Sequence, residues 1–194
     1  LMFLGPWDQG GPYDLSGVVG THRWLNRLWQ LVLSKPIKNK KIAKKTDQIN
    51  KINHSTLKKV TLDIASFKFN TMIAALMELT NELSTIKEIN DDDEVAWDKA
   101  IEYLCLMIAP SCPHIAEELW HLLGKNSSVH LNSWPIFIDK YTKSITQVIP
   151  IQINGKLRAA IEVSVGIDES TMLSLAQKNK KIAGYVQNKN ILKV

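Results

Sequence analysis

The sequence predicts a mainly α protein: a helical bundle followed by a small α+β unit. Three observations carry that expectation. Apolar residues recur at intervals of three and four from about Ser16 to Leu123, the period of amphipathic helices. Pro36, Pro110, Pro113 and Gly124 fall at the ends of those stretches, where helices stop or start. After Trp134–Pro135 the period changes to two, the alternation of a strand, on both sides of an Asn-Gly pair.

Gly5, Pro6, Gly10, Gly11 and Pro12 read as a connector over residues 1–14. Ser16 is positioned to cap the first helix, in which Val18, Leu25, Leu28, Trp29 and Val32 form the apolar stripe. Arg23, Asn26, Arg27 and Gln30 fall on another face, and Pro36 ends the helix. KPIKNKKIAKK follows, with six lysines between Lys35 and Lys45, as a loop or as the basic start of the next helix. Ile49, Ile52, Leu57, Val60 and Ile64 mark a second helix from about Thr46 to Ala65. A third, capped by Asn70 or Thr71, carries Ile73, Leu76, Met77, Thr80 and Leu83. The acidic run Asp91–Asp93 precedes a fourth, with Val95, Trp97, Ile101, Leu104, Cys105 and Ile108 inward; complementing the helix dipole is a sufficient reason for that run. Pro113 opens a fifth helix and Gly124 closes it. The bundle therefore spans 15–135, with a linker over 136–146.

Val148–Ile153 and Leu157–Val163 flank Asn154–Gly155 as a hairpin. Asp168 caps a short helix with Met172, Leu173, Leu175 and Ala176; another helical piece spans about Lys180–Tyr185, and ILKV reads as one more strand. Residues 147–194 are thus a truncated α+β unit whose sheet lacks a partner strand.

Composition excludes several classes. At 45% hydrophobic and 22% charged residues the chain has ordinary globular proportions, and no apolar run reaches the length of a membrane span. Cys105 and Cys112 are too few for a disulfide framework and suit a reducing cytoplasm. The net charge of +5 is unevenly spread: +8 over residues 1–60, −8 over 61–140 and +5 over 141–194. A polyanion suits the basic parts, and solvated helix faces are the plain alternative.

No Gly-rich phosphate loop, nucleophile elbow or paired nucleophile and base is present, so no residue is assigned to catalysis. His114, Glu118 and His121 share a spacing of four and seven, yet the pattern is not HExxH and lacks a fourth ligand, so no metal is expected. Arg23 and Arg27, one turn apart, suit bidentate phosphate contacts; a salt bridge to the acidic middle is the rival reading. Lys156 and Arg158 alternate onto one face of the hairpin, and Lys41 joins them from the lysine run on charge alone.

Four strings then carry a family resemblance. MFLGPWDQGGPYDLSGVVGTHRWLNRLWQLV (Met2–Val32) resembles the segment of bacterial-type leucyl-tRNA synthetases that follows their KMSKS loop. FKFNTMIAALMELTNEL (Phe67–Leu83) and LMIAPSCPHIAEELWHLLG (Leu106–Gly124) resemble the anticodon-binding-type helical bundle of these class I enzymes. VIPIQINGKLRAAIEV (Val148–Val163) resembles the start of their C-terminal domain. The APxxPHIAEELW pattern is shared with valyl and isoleucyl enzymes, which stay as alternatives together with a free-standing RNA-binding module. GPWDQGGPY and QINGKLR point to the leucyl group. KPIKNKKIAKKTDQINKIN departs from the pattern in its density of lysine and asparagine.

The resemblance implies that the parent is a cytoplasmic leucine–tRNA ligase using ATP and Mg, whose catalytic and editing domains lie upstream of Leu1. It implies that this segment needs no cofactor of its own and holds tRNA(Leu) through shape and phosphate contacts. The inner side of the tRNA falls to the bundle and its outer corner to the C-terminal domain. A bundle that binds a partner helix through apolar faces is the rival of another class, and its binding is indifferent to salt.

Overall fold

A computed structural model describes residues 2–3, 5–9, 15–142, 146–164 and 166–186, which fall into two compact units, 1–142 and 143–194. In the first unit α1 (Leu15–Leu33) packs on α3 (Phe69–Thr85) and α5 (Pro113–Leu122), while α2 (Thr46–Ala65) packs on α3, on α4 (Glu94–Ile108) and on the short α6 (Asp139–Thr142). The α1 stripe is rotated from the expected one. Trp24 and Leu28 are fully buried, and the Trp24 indole N–H donates to Thr80 Oγ1 at 3.0 Å. Val18, two turns before the half-buried Leu25, lies at the stripe's edge and is exposed. Ser16 falls inside α1 rather than at its cap.

In α3 the helix begins at Phe69, so Asn70 and Thr71 sit in its first turn and neither caps it. The chain reverses through Phe67 at φ 56°, and the Lys68 N–H closes the turn on the Asp63 carbonyl at 2.8 Å. The core joins Ile49 and Leu57 of α2 to Leu76 and Leu83 of α3 and to Leu104 and Met107 of α4, all fully buried. Each such side chain contributes about 1.5–3 kcal/mol. Val95, expected inward, lies in the first turn of α4 and is exposed, whereas Trp97, Ile101, Leu104, Cys105 and Ile108 are buried. The fifth helix starts at Pro113 and is followed by Gly124 at φ 80°, as read from the sequence.

Two features have no local signature. The lysine segment is a loop carrying β1 (Ile37–Lys38), which pairs in parallel with β2 (Glu88–Ile89) just after α3. The N-terminus of α2 has no side-chain cap from Lys45. It is closed instead by Asp93, which accepts from the Lys45 N–H at 2.9 Å and the Thr46 hydroxyl at 2.6 Å. The acidic run therefore does more than complement the dipole of α4.

Residues 136–142, expected as linker, belong to the first unit. Ile138 donates its N–H to His54 Nδ1 at 3.3 Å, Tyr141 stacks on the His54 ring at 5.4 Å, and Lys58 lies 3.6 Å from Asp139. A half-buried Trp134 donates to Thr61 Oγ1 at 2.9 Å. The strap is held because α2 offers a buried imidazole and a lysine at one spacing of four.

The second unit is an antiparallel pair, β3 (Thr146–Ile153) and β4 (Lys156–Ser164), followed by α7 (Glu169–Lys178) and α8 (Lys180–Val186). Asn154 and Gly155 take φ 51° and 75°, the left-handed pair of a two-residue hairpin turn. Asp168 caps α7 by accepting from the Thr171 N–H at 2.9 Å. The hydroxyls of Ser170 and Thr171, and then that N–H, hold its carboxyl well below the usual carboxylate range. Val163 and Ile182 are its buried apolar side chains among the described residues. The expected ILKV strand, 191–194, lies outside the described residues.

Candidate nucleic-acid interface

The face of α1 opposite Trp24 and Leu28 carries Arg23, Asn26, Arg27 and Gln30, all exposed. Arg23 and Arg27 are one turn apart, and among the described residues neither has a carboxylate within 4 Å. The rival reading, in which both are salt-bridged to the acidic middle, is not what this helix shows. Two planar guanidinium groups thus share one exposed face, ready for phosphate oxygens.

The lysine run behaves differently. Lys38 meets Glu94 at 2.7 Å, Lys40 meets Asp91 at 3.1 Å and Lys44 meets Asp92 at 3.2 Å. Lys45 Nζ donates to the Glu88 carbonyl at 2.9 Å. The hydrogen bond between Lys38 and Glu94 moves both groups in the sense of a stabilised pair, the ammonium up and the carboxyl down. The β1–β2 bridge sets these residues against the acidic turn, so the −8 segment neutralises three of the six lysines. Lys41 is exposed, donates its backbone N–H to Asn39 Oδ1 at 3.0 Å, and has no ion pair among the described residues.

Sequence reasoning passed over Lys87. The Ile37 N–H donates to the Lys87 carbonyl at 2.9 Å, which brings Lys35–Ile37 beside the residue that follows α3. Arg27, Lys35 and Lys87 then rim one groove of about 550 Å³. A contact between positions fifty residues apart leaves no mark in either local sequence.

In the second unit Lys156 and Arg158 are both exposed, but their shared face by alternation fails. The register shifts so that Ile151 faces Ala159 and Gln152 faces Leu157, leaving Arg158 as the extra residue of a bulge. Its guanidinium lies 4.8 Å from the Tyr185 ring centroid, a cation–π contact.

The row His114, Glu118 and His121 is not assembled. His121 pairs with Glu117 at 3.2 Å, and the other Glu117 oxygen accepts from Ser128 Oγ at 2.9 Å and the Val129 N–H at 3.0 Å. Burial pushes the Glu117 carboxyl up, and these hydrogen bonds outweigh it and hold it below its ordinary value. Among the described residues no three His, Cys, Asp or Glu side chains gather as a cation requires. Burial pushes the Cys105 thiol up to about 12, so it packs as a small apolar group and not as a nucleophile.

Comparison with known proteins shows the family. The family described as "Anticodon-binding domain of tRNA ligase" matches residues 47–173. A leucine–tRNA ligase of Herpetosiphon aurantiacus is 41% identical over 193 residues, covering 100% of this chain and 24% of the relative. One of Deinococcus radiodurans is 34% identical over 193 residues, with the same coverage of each chain. Among solved structures, the LeuRS–tRNA–LeuAMS ternary complex of Agrobacterium radiobacter K84 matches with a TM-score of 0.67 and 27% identity, over 100% of this chain and 26% of that one. The chain spans about a quarter of the length of the curated relatives it matches.

Proposed function

We propose, since this chain belongs to the family of anticodon-binding domains of tRNA ligases, that it is the tRNA-holding part of a leucine–tRNA ligase. The whole enzyme attaches leucine to tRNA(Leu) with ATP and Mg in the cytoplasm, and that chemistry takes place outside these residues. Relatives named leucine–tRNA ligase at 34–41% identity favour the leucyl reading over the valyl and isoleucyl ones. Among the described residues no helix is long and apolar enough to cross a membrane.

The observation that carries the reading is the exposed Arg23/Arg27 pair, which has no ion pair among the described residues, whereas Lys38, Lys40 and Lys44 are each held by a carboxylate. Arginine forks hold phosphates without reading bases, as recognition of RNA by shape requires. Lys41 adds charge from the lysine loop, and Lys156 and Arg158 supply a second, weaker contact. The upstream catalytic domain is the other partner. The aromatic cluster in which Trp7 and Phe67 each pack edge-on against Phe69, with Trp7 and Phe67 both 63% exposed, supports that contact.

The test is kinetic. In the full-length protein, Arg23→Ala with Arg27→Ala raises the Michaelis constant for tRNA by roughly tenfold or more, the loss of charged hydrogen bonds of about 1.5–3 kcal/mol. Leucine-dependent pyrophosphate exchange stays unchanged. Unchanged tRNA kinetics with a lowered melting temperature would assign the arginines to the bundle's own stability.

A further inference from the structure

The strap over α2 is fastened along one side of that single helix. His54, Lys58 and Thr61 are spaced by four and then three residues, so they rise on one face of α2. Each holds a different part of the chain between Trp134 and Thr142. Thr61 Oγ1 accepts from the Trp134 indole at 2.9 Å, and the Lys58 ammonium lies 3.6 Å from Asp139 and 5.3 Å from the centre of the Phe137 ring. His54 Nδ1 accepts the Ile138 N–H at 3.3 Å, and its ring stacks on Tyr141. Little apolar area is at stake, because Ile136 and Ile138 are 81% and 51% exposed and Phe137 and Tyr141 are half-buried. Asp139 is exposed as well, and an exposed ion pair contributes little. That leaves the imidazole as the one buried polar fastening of residues 136–142.

The fastening depends on one protonation state. A backbone N–H can only donate, so Nδ1 carries no proton and the ring's hydrogen is on Nε2. A second proton has to enter at Nδ1, where it removes the acceptor and sets N–H against N–H. Of the five histidines His54 alone is buried; His22, His114, His121 and His130 are exposed. Around its ring stand Lys99 and Tyr103 of α4, Tyr141 with Asp139 and Lys140 of α6, and Lys58 one turn along α2. Among the described residues α3 contributes no charge that acts on it. Burial, and then Lys99, oppose the charged ring, so the strap is closed at neutral pH.

We infer that residues 136–142 are an acid-released latch, in which a proton on His54 Nδ1 frees them from α2 while the bundle stays folded. Pro135 is buried and Trp134 is tied to Thr61, so the freed segment starts at Ile136. Its seven residues end the first unit, and once free they add up to about 25 Å of contour to the chain that leads into the second. The latch is independent of what either unit binds.

The experiment is amide hydrogen exchange of the full-length protein, read by mass spectrometry from about pH 7.5 to about pH 4.5 and corrected for the intrinsic rate at each pH. Protection of the peptide spanning 136–142 falls by up to about tenfold per pH unit once the pH passes below the folded value of His54, while core peptides of α3 and α4 keep theirs. Lys99→Gln removes a charge that opposes the proton, so the fall moves to higher pH. His54→Gln takes up no proton in this range, and its strap shows no fall. Where His54→Gln leaves the strap unprotected at every pH, the shift in Lys99→Gln still decides. Strap protection that stays constant in the wild type would overturn the latch, as would a fall shared with the α3 and α4 core. A fall at the wild-type pH in Lys99→Gln, or one that persists in His54→Gln, would overturn it equally.

Discussion

His54 shows how one side chain ties a local pattern to a distant segment. It is buried at 4% exposure, accepts the Ile138 N–H and stacks on Tyr141. Burial, and then the charge of Lys99, hold its imidazole below the ordinary 6.5. A depressed folded value means that the unfolded chain takes up the proton first as pH falls. The stability it contributes is present above 6.5 and is lost as pH falls through the folded value. Thermal melting of the wild type is expected to drop as pH is lowered through that window, and the drop is shallower in His54→Gln. A wild type and variant with parallel pH profiles would remove His54 from the account. Helical spacing never marked this residue, because a histidine on an apolar stripe acquires its role only from the strap laid over it. By contrast Trp97, Ile101, Leu104 and Ile108 were legible as core from period alone, and Arg23 and Arg27 as a shared exposed face. Val18 and Val95 misled because being apolar near a stripe is not the same as lying on it.

Among the elements, the hairpin is the one most fully written in the sequence. Asn154–Gly155 predicts its turn, and the structure gives both residues positive φ. A Cβ built on Gly155 meets nothing within 4 Å, so its cost is purely conformational. Gly155→Ala is expected to destabilise the second unit by about 1–2 kcal/mol, the penalty of a left-handed L residue, and to leave the first unit's melting unchanged. An unchanged midpoint for the second unit would contradict the turn geometry. The bulge at Arg158 was illegible, since strict alternation of Leu157, Ala159, Ile161 and Val163 gives no sign that the partner strand slips by one residue. The β1–β2 bridge and the groove beside it were equally hidden, because two-residue strands carry no period.

At the scale of the molecule, two units with separate cores imply two unfolding events. All six tryptophans, from Trp7 to Trp134, belong to the first unit, so their fluorescence reports it alone, whereas far-ultraviolet circular dichroism reports both. With Val163 and Ile182 as its buried apolar residues among those described, the second unit is expected to melt first. The dichroism transition then begins at a lower temperature than the fluorescence transition, and coincident curves would show one cooperative unit instead. The charge map of the whole chain was legible as basic, acidic and basic, but its meaning was not, because the first two blocks fold onto each other. The remote cap on α2 has a last consequence, in time. Asp93 reaches Thr46 across 47 residues, so during synthesis the first turn of α2 has no acceptor until the ribosome has delivered the start of α4. That turn stays frayed in the nascent chain, and the register of α2 becomes fixed late, when the loop closes.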